Sequence, residues 1–290
     1  MSKKPQQIAI YGKGGIGKST TTSNIAAALA ESGLKVVQIG CDPKSDSTNT
    51  LRGGNYLPTV LDSTRDGSKV HLSDISAVGF KGILCVEAGG PVPGVGCAGR
   101  GINAAVSLLH ELHLFEEFKP DVVLYDVLGD VVCGGFAVPI REGLTDRVYV
   151  VSSSDFMAIY AANNLFKAIN KYAPSGGAKL GGIIANGLSA PYSRALVDDF
   201  AHQTGTRAVQ YIPRSLTVSQ AELYGQTVIE ASPKSAHADL YRALAKRVYE
   251  DTDPGTPNPL NVTELREWAR KWGDTILQES EGVVAPAGAI

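Results

Sequence analysis

The chain has few cysteines and no Cys-x-x-Cys pair; Cys41, Cys85, Cys97 and Cys133 stand far apart. Four cysteines without paired spacing do not read as a disulfide framework. Long apolar runs are missing too, and Met1–Gln7 is short and polar before the first strand begins. Neither a secretory signal nor a membrane span is expected, so the expected compartment is reducing and cytoplasmic. There is no excess of either charge: 27 Lys and Arg face 29 Asp and Glu, for a net charge of −2. No surface for a polyanion is implied, and nucleic acid and membrane are not expected as partners.

What the sequence does have is enough apolar material for a full core. Its 43% hydrophobic content over 290 residues is that of a globular protein, and α/β chains of this size often fold as one domain. Gln7–Tyr11, Val36–Cys41, Ile83–Glu87, Val122–Asp126, Arg147–Ser152, Gly182–Asn186 and Ala208–Tyr211 read as strands. They do not alternate polar with apolar, which is the pattern of a sheet covered on both faces. Helical patterns intervene, among them Lys18–Ser32, Ile102–Phe115, Phe156–Tyr172 and His237–Glu250. The expected fold is therefore α/β, a single doubly wound and mainly parallel sheet. A Pro-rich connector, Asp253–Pro259, leads to a last helix at Val262–Leu277. That helix sets Leu265, Trp268, Ala269, Trp272 and Ile276 on one face, to pack against protein. Its polar face carries balanced charge, which argues against a membrane-surface helix. Residues 1–273 are expected to form the domain, and 274–290 to finish the helix and fray into a flexible tail.

Gly12–Ser19 reads GKGGIGKS, a full G-x-x-x-x-G-K-[ST] directly after a strand and opening a helix expected to be capped by Ser or Thr. In such a phosphate-binding loop, Gly12, Gly14, Gly15, Ile16 and Gly17 let backbone N–H groups curl around phosphates at a helix N-terminus. Lys18 reaches the β- and γ-phosphates, Ser19 sits on Mg²⁺ and Thr20 continues the turn. A nucleoside triphosphate, ATP with Mg²⁺, is the expected ligand. Lys13 makes the loop the deviant form K-G-G-x-G-K-S, although a solvated loop lysine has the same sequence. Asp42 follows the second strand and Asp126 ends another, where carboxylates face the ligand crevice of an open α/β sheet. Asp126 is the candidate Mg²⁺-side carboxylate and Asp42 the candidate to orient the attacking water. Lys44 and Asp46 fit ordinary turn positions as well.

Cys97 and Cys133 lie in glycine-rich loops, GGPVPGVGCAGRG (Gly89–Gly101) and DVLGDVVCGGF (Asp126–Phe136). A cubane iron–sulfur cluster takes four thiolates, so a symmetric dimer giving two from each subunit would complete one. The alternative is that both are small buried side chains, the common fate of free cysteine. Cys41 and Cys85 fall in or at the end of apolar strands and read as packing residues. Seven residues separate Asp126 from Cys133, at most about 25 Å of chain. A movement of Asp126 on loss of the γ-phosphate would pull on the cysteine loop.

YGKGGIGKSTTTSN, GCDPKSDST, EAGGPVPGVGCAGRG, YDVLGDVVCGGFAVPIRE, YAANN, PRSLTVSQAE and PNPL together resemble the nitrogenase iron protein family and the reductase subunits of nitrogenase-like systems. The resemblance runs from about Gln7 to Gly273. It implies a homodimer in which Cys97 and Cys133 of both subunits hold one [4Fe–4S] cluster. It further implies that Lys13, Lys18, Ser19, Asp42, Asp126 and Asp130 serve MgATP and its hydrolysis, with Lys13 reaching the partner's nucleotide. Asn186, Pro213 and Arg214 match positions at the adenine end. Arg100 matches an arginine that some relatives ADP-ribosylate, and it lies with Arg141–Glu142 near the face that docks a separate catalytic component. Ferredoxin or flavodoxin is the implied electron donor.

The sequence departs from the nitrogen-fixing pattern in its short LRGGNYLPT stretch, the turn at Pro58–Asp62 and Gly143–Leu144 after PIRE. These features point to a nitrogenase-like system, such as methylthio-alkane or nickel-tetrapyrrole reduction. PIRE itself is nitrogenase-like, and nitrogen fixation proper is the alternative. Two other classes compete, and the first shares the deviant loop. A non-redox ATPase of the chromosome- or division-site-positioning kind needs neither cysteine and wants a basic surface or membrane helix. A cluster-carrier ATPase tends to use Cys-x-x-Cys.

Overall fold

The computed structural model describes residues 4–65, 69–90, 99–129, 138–141 and 144–279. Among them, eight strands form one sheet: β1 (Gln6–Gly12), β2 (Val36–Gly40), β3 (Ser76–Val78), β4 (Leu84–Glu87), β5 (Val122–Leu128), β6 (Arg147–Ser152), β7 (Lys179–Leu188) and β8 (Ala208–Pro213). Their spatial order is β3-β4-β2-β5-β1-β6-β7-β8. Every pairing is parallel except β3 with β4. Helix α1 (Lys18–Glu31) returns the chain from β1 to β2, and α2 (Val60–Thr64) and α3 (Leu72–Ile75) precede β3. Next come α4 (Gly99–Glu111) and α5 (Leu114–Phe118) before β5, α6 (Val138–Arg141) before β6, α7 (Phe156–Tyr172) before β7 and α8 (Ser193–Gln203) before β8. Helices α9 (Leu216–Leu223), α10 (Val228–Ala231), α11 (Ala236–Glu250) and α12 (Val262–Glu279) close the chain.

The continuous apolar strands are explained by two cores, one on each face. Along β1, Ile8 and Ile10 join Ile25 of α1 and Tyr241 and Leu244 of α11 on one side. Ala9 and Tyr11 join Ile102 of α4, Ile159 and Phe166 of α7 and Phe200 of α8 on the other. A strand buried on both faces has no place for a polar alternate. The expected doubly wound, mainly parallel α/β sheet is the observed one.

Two local readings differ. The short edge strand β3 has no apolar run to announce it, because its residues are half-buried or exposed. The pattern read as one helix over Ile102–Phe115 is broken, since His113 takes a left-handed φ of 55° and starts α5 anew. That turn buries Leu114 completely and sets the His110 ring 4.6 Å from Phe115.

The stripe on α12 packs on the chain's own body: Leu265 and Trp268 are buried, and Ala269, Trp272 and Ile276 lie against the same core. Trp268 tilts over Phe200 at 5.6 Å. A buried and a half-buried indole need acceptors, and one oxygen serves both: Asp199 Oδ2 accepts from Trp268 Nε1 at 2.8 Å and Trp272 Nε1 at 2.7 Å. The connector before α12 is held by a pair of hydrogen bonds between Leu180 and Gly255, each 2.8 Å. No described helix is long and apolar enough to cross a membrane. Asp199→Ala removes the shared acceptor, and a loss of about 2 kcal/mol is expected from urea unfolding. An unchanged midpoint would show that α12 is held by apolar packing alone.

Candidate functional site

Strand β1 ends at Gly12, and the loop to α1 needs glycine at two positions. Gly15 and Gly17 have φ of +76° and +86°, where a side chain is strained. A Cβ on Gly17 would also overlap the amide of Asn186, whose Nδ2 donates to the Ile16 carbonyl at 2.8 Å. The Ser or Thr cap expected for α1 is absent. Gly17 itself is the N-cap, with no side-chain hydrogen bond. The physical reason lies in the loop: its left-handed glycine leaves the first-turn N–H groups facing a cavity, ready for an anion.

That cavity, about 360 Å³, is lined by Lys13, Gly14, Gly15, Gly17, Lys18, Ser19, Thr20, Asp42, Lys44, Asp46 and Glu222. A cleft of about 280 Å³ shares Gly15, Gly17, Thr20 and Glu222 with it and extends to Ile16, Asn186, Pro213 and Arg214. Sequence-picked residues for the phosphate and the base ends thus line two adjoining hollows. Glu222, which was not picked, stands in both and accepts a hydrogen bond from Thr20 Oγ1. A larger groove, about 730 Å³ between α8 and α12, touches none of these residues.

Beneath the cavity, Lys18 Nζ forms an ion pair with Asp126 Oδ1; Lys18 is 5% exposed and Asp126 fully buried. Lys18 Nζ also lies 3.4 Å from Ser19 Oγ. Asp126 Oδ2 has no partner among the described residues. A buried carboxylate oxygen so placed, on the residue whose ammonium partner also reaches the Ser19 hydroxyl, suits a water of a hydrated divalent cation. The Asp42 carboxylate is folded back on its own turn, accepting from the Lys44 N–H at 3.0 Å. Beyond Asp126, Gly129 N–H donates to the Gly12 carbonyl at 2.8 Å, joining the end of β5 to the start of the P-loop. A Cβ at Gly129 would overlap the Gly12 backbone.

The register puts a second carboxylate in the same row. Glu87 of β4 pairs with Gly40 of β2, and Gly40 pairs with Asp126 of β5. Glu87 is fully buried, and its Oε1 accepts from Thr48 N at 2.7 Å and Thr48 Oγ1 at 2.6 Å. Its Oε2 has no hydrogen-bond partner among the described residues. Burial pushes the carboxyl up from 4.5 to about 7; the two Thr48 hydrogen bonds oppose this, Asp126 adds to it and Arg52 opposes it. Sequence reasoning passed over Glu87, which ends an apolar strand, whereas Asp126, expected at a strand end, lies two residues inside β5, which runs on to Leu128.

Cys41 and Cys85 are buried, as expected. Burial pushes the Cys85 thiol up to about 12 and that of Cys41 above its ordinary range as well, so neither is a ready thiolate. Since the chain has four cysteines, a thiolate metal site can draw only on Cys97 and Cys133. Those two, Asp130 and Glu142 lie outside the described residues, as do the side chains of Arg100 and Arg141. The donor set fits a [4Fe–4S] cluster only when two chains contribute.

Two expected outcomes follow from this geometry. Between pH 4.5 and 7 the folded chain keeps a Glu87 proton that the unfolded chain releases, so stability declines as pH rises. Relative to Glu87→Gln, wild type is expected to lose up to about 3 kcal/mol from pH 5 to pH 8. Parallel denaturation curves for the two across that range would contradict it. Gly129→Ala must push the P-loop aside, and nucleotide affinity measured by calorimetry is expected to fall about tenfold or more.

Comparison with known proteins places this arrangement. The family of 4Fe-4S iron sulfur cluster binding proteins, NifH/frxC family, matches residues 6–274. The chain is 61% identical over 289 residues to nitrogenase iron protein 2 of Paenibacillus durus, covering 100% of this chain and 99% of that protein. It is 47% identical over 287 residues to nitrogenase iron protein 2 of Methanothermococcus thermolithotrophicus, covering 94% and 98%. Its fold is shared with the septum site-determining protein MinD complexed with Mg-ADP from Pyrococcus horikoshii OT3. The TM-score there is 0.65 at 20% identity, over 85% of this chain and 97% of that one. With its P-loop, its buried Lys18–Asp126 pair and only two cysteines left for a cluster, the chain belongs to the NifH/frxC family of 4Fe-4S iron–sulfur cluster binding proteins.

Proposed function

We propose that two copies of this chain form an ATP-driven electron donor for a separate catalytic component of the nitrogenase type. The observation that carries the reading is the buried Lys18–Asp126 pair, set on the strand whose chain continues through Gly129 toward Cys133. Gly12, Gly14, Gly15, Ile16, Gly17 and Thr20 shape the cradle for the phosphates, and Ser19 and Asp126 would hold Mg²⁺ and its water. The adenine lies against Asn186, Pro213 and Arg214. Lys13 reaches the nucleotide of the partner subunit, and Asp42 and Asp130 orient the attacking water.

A phosphate entering the cradle competes with Asp126 for the Lys18 ammonium, because both are anions within reach of one buried cation. Asp126, freed of the ammonium, would be available to a hydrated Mg²⁺, and β5 carries the change past the Gly129–Gly12 hydrogen bond toward the segment bearing Cys133. Cys97 and Cys133 from both subunits would hold one [4Fe–4S] cluster, which when bound would supply a low-potential electron. By the resemblance, Arg100 and Arg141–Glu142 are the candidates to meet the catalytic component, and Arg100 the candidate for modification. Ferredoxin or flavodoxin recharges the dimer. Residues 1–273 act as one unit.

The partner decides the final substrate. The short Leu51–Thr59 stretch and Gly143–Leu144 favour a nitrogenase-like system, with methylthio-alkane or tetrapyrrole reduction as examples. The 61% identity to a nitrogenase iron protein favours nitrogen fixation, and the catalytic subunit that accepts electrons from this dimer separates the two. Anaerobically purified dimer is expected to carry about four irons with a cubane paramagnetic signal. Cys97→Ser and Cys133→Ser are each expected to lose the cluster while keeping ATP binding. A full cluster in either variant would refute the shared site. Iron-free dimers with intact ATPase would favour a positioning ATPase.

A further inference from the structure

Glu87 has no part in the chemistry just described, yet it is a fully buried carboxyl group one strand away from the Lys18–Asp126 pair. The space it fills is built for it. Gly40 lies between Glu87 and Asp126 in the sheet, and a Cβ there would overlap Glu87 Oε2. On the far side, Thr48 gives both its N–H and its hydroxyl to Glu87 Oε1. Thr48 closes the loop that opens with Asp42, and its own hydroxyl takes a hydrogen bond from Arg52 Nε at 3.0 Å. Ser47, next to it, is fixed from α1 and β2: its carbonyl accepts from Ser23 Oγ at 3.0 Å and Gln38 Nε2 at 3.1 Å. The Asp42–Thr48 loop is therefore anchored at one end to the nucleotide helix and to the last residue of β4.

From Glu87 the chain runs on as Ala88–Gly89–Gly90, and this stretch is pressed against the same loop. Ala88 N–H donates to the Gly40 carbonyl at 2.8 Å. Gly90 lies so close to Pro43, the residue after Asp42, that a Cβ would stand 3.0 Å from the Pro43 Cα. Seven residues after Gly90 comes Cys97, within at most about 25 Å of chain.

We propose that Glu87 is a positioning residue: its clasp on Thr48 ties the Asp42–Thr48 loop to β4, so that a nucleotide at Asp42 acts on the Cys97 arm as well as on the Cys133 arm. The proposal rests on the function given above, and it adds a second line of coupling that starts from Asp42 rather than Asp126. The clasp needs an acceptor at position 87 and a hydroxyl donor at position 48. It needs no charge, since Oε1 accepts from Thr48 whether or not Oε2 carries a proton.

The test uses intact, cluster-loaded dimers of wild type, Thr48→Val, Thr48→Ser, Glu87→Ala and Glu87→Gln. Two quantities are read: MgATP affinity by calorimetry, and the rate at which MgATP exposes cluster iron to a chelator. Thr48→Val and Glu87→Ala are expected to slow MgATP-triggered iron release about tenfold, with full iron content and affinity within about threefold of wild type. Thr48→Ser and Glu87→Gln keep the donor and acceptor and are expected to respond as wild type. Wild-type release rates in both Thr48→Val and Glu87→Ala overturn the clasp. So does a response in Glu87→Gln as slow as in Glu87→Ala, and that comparison stands even if Thr48→Val fails to fold. Wild-type dimers without iron would overturn the function itself, a result distinct from any of these.

Discussion

Lys18 and Asp126 meet almost wholly out of water, and the nucleotide end of the sheet is organised around that contact. Two charges removed from solvent lose several kcal/mol of hydration each, and their mutual attraction only roughly offsets this. Removing one partner leaves an uncompensated buried charge, so neither position tolerates a neutral substitute cheaply. The same balance makes the pair responsive. A second anion with good hydrogen-bonding geometry, arriving at the helix N-terminus above it, needs only a modest advantage to draw the ammonium away. The pair is strong enough to hold β5 against the P-loop and close enough to balance to release it.

The rest of the site follows from what surrounds that pair. Gly40 must be glycine because two carboxylates flank it in the sheet, and the space above its Cα belongs to Glu87. Gly129 must be glycine because β5 leaves the sheet directly over the Gly12 backbone. These two close approaches fix the depth of both carboxylates relative to the loop that reads the phosphate. Asn186 does the equivalent on the other flank, holding Ile16 and filling the space beside Gly17. Ion pair, glycines and amide together leave the loop little freedom except at its open face.

Much of this was legible in the sequence, and the reasons are specific. Six of the eight strands are buried on most of their length, so their apolar runs stand out; β8 buries only Gln210 and Ile212, and β3 is short, half-exposed and antiparallel, with no such signal. The P-loop and Lys18 could be read because they follow a strand in a fixed pattern, and Asp126 because it stands in an apolar run near the C-terminal end of β5, two residues before Leu128. The α1 cap was misread because the usual preference for a Ser or Thr oxygen assumes a helix that satisfies its own first turn. Here Gly17 leaves that turn open. The break at His113 was invisible because apolar spacing continues through it, while the backbone reverses to bury Leu114. Glu87 was missed for a different reason. Its role depends on register, which brings Glu87, Gly40 and Asp126 into one row, and no local pattern in LCVE announces its neighbours across the sheet.

That row also bears on why a dimer is needed. Each chain has two cysteines to offer, since burial withholds Cys41 and Cys85 from thiolate chemistry. A cubane held by two chains is only as well placed as the four arms that carry it. If the nucleotide moved one arm of each chain, the remaining arm would resist, and part of the motion would be lost as strain. In the proposed arrangement both arms originate beside the same loop. One leaves β5 after Asp126, the other leaves β4 after Glu87, and the Asp42–Thr48 segment, which follows β2, lies between them in the sheet order. The two lines of coupling, through Asp126 to one arm and through the Glu87–Thr48 clasp to the other, then start at the same end of the sheet.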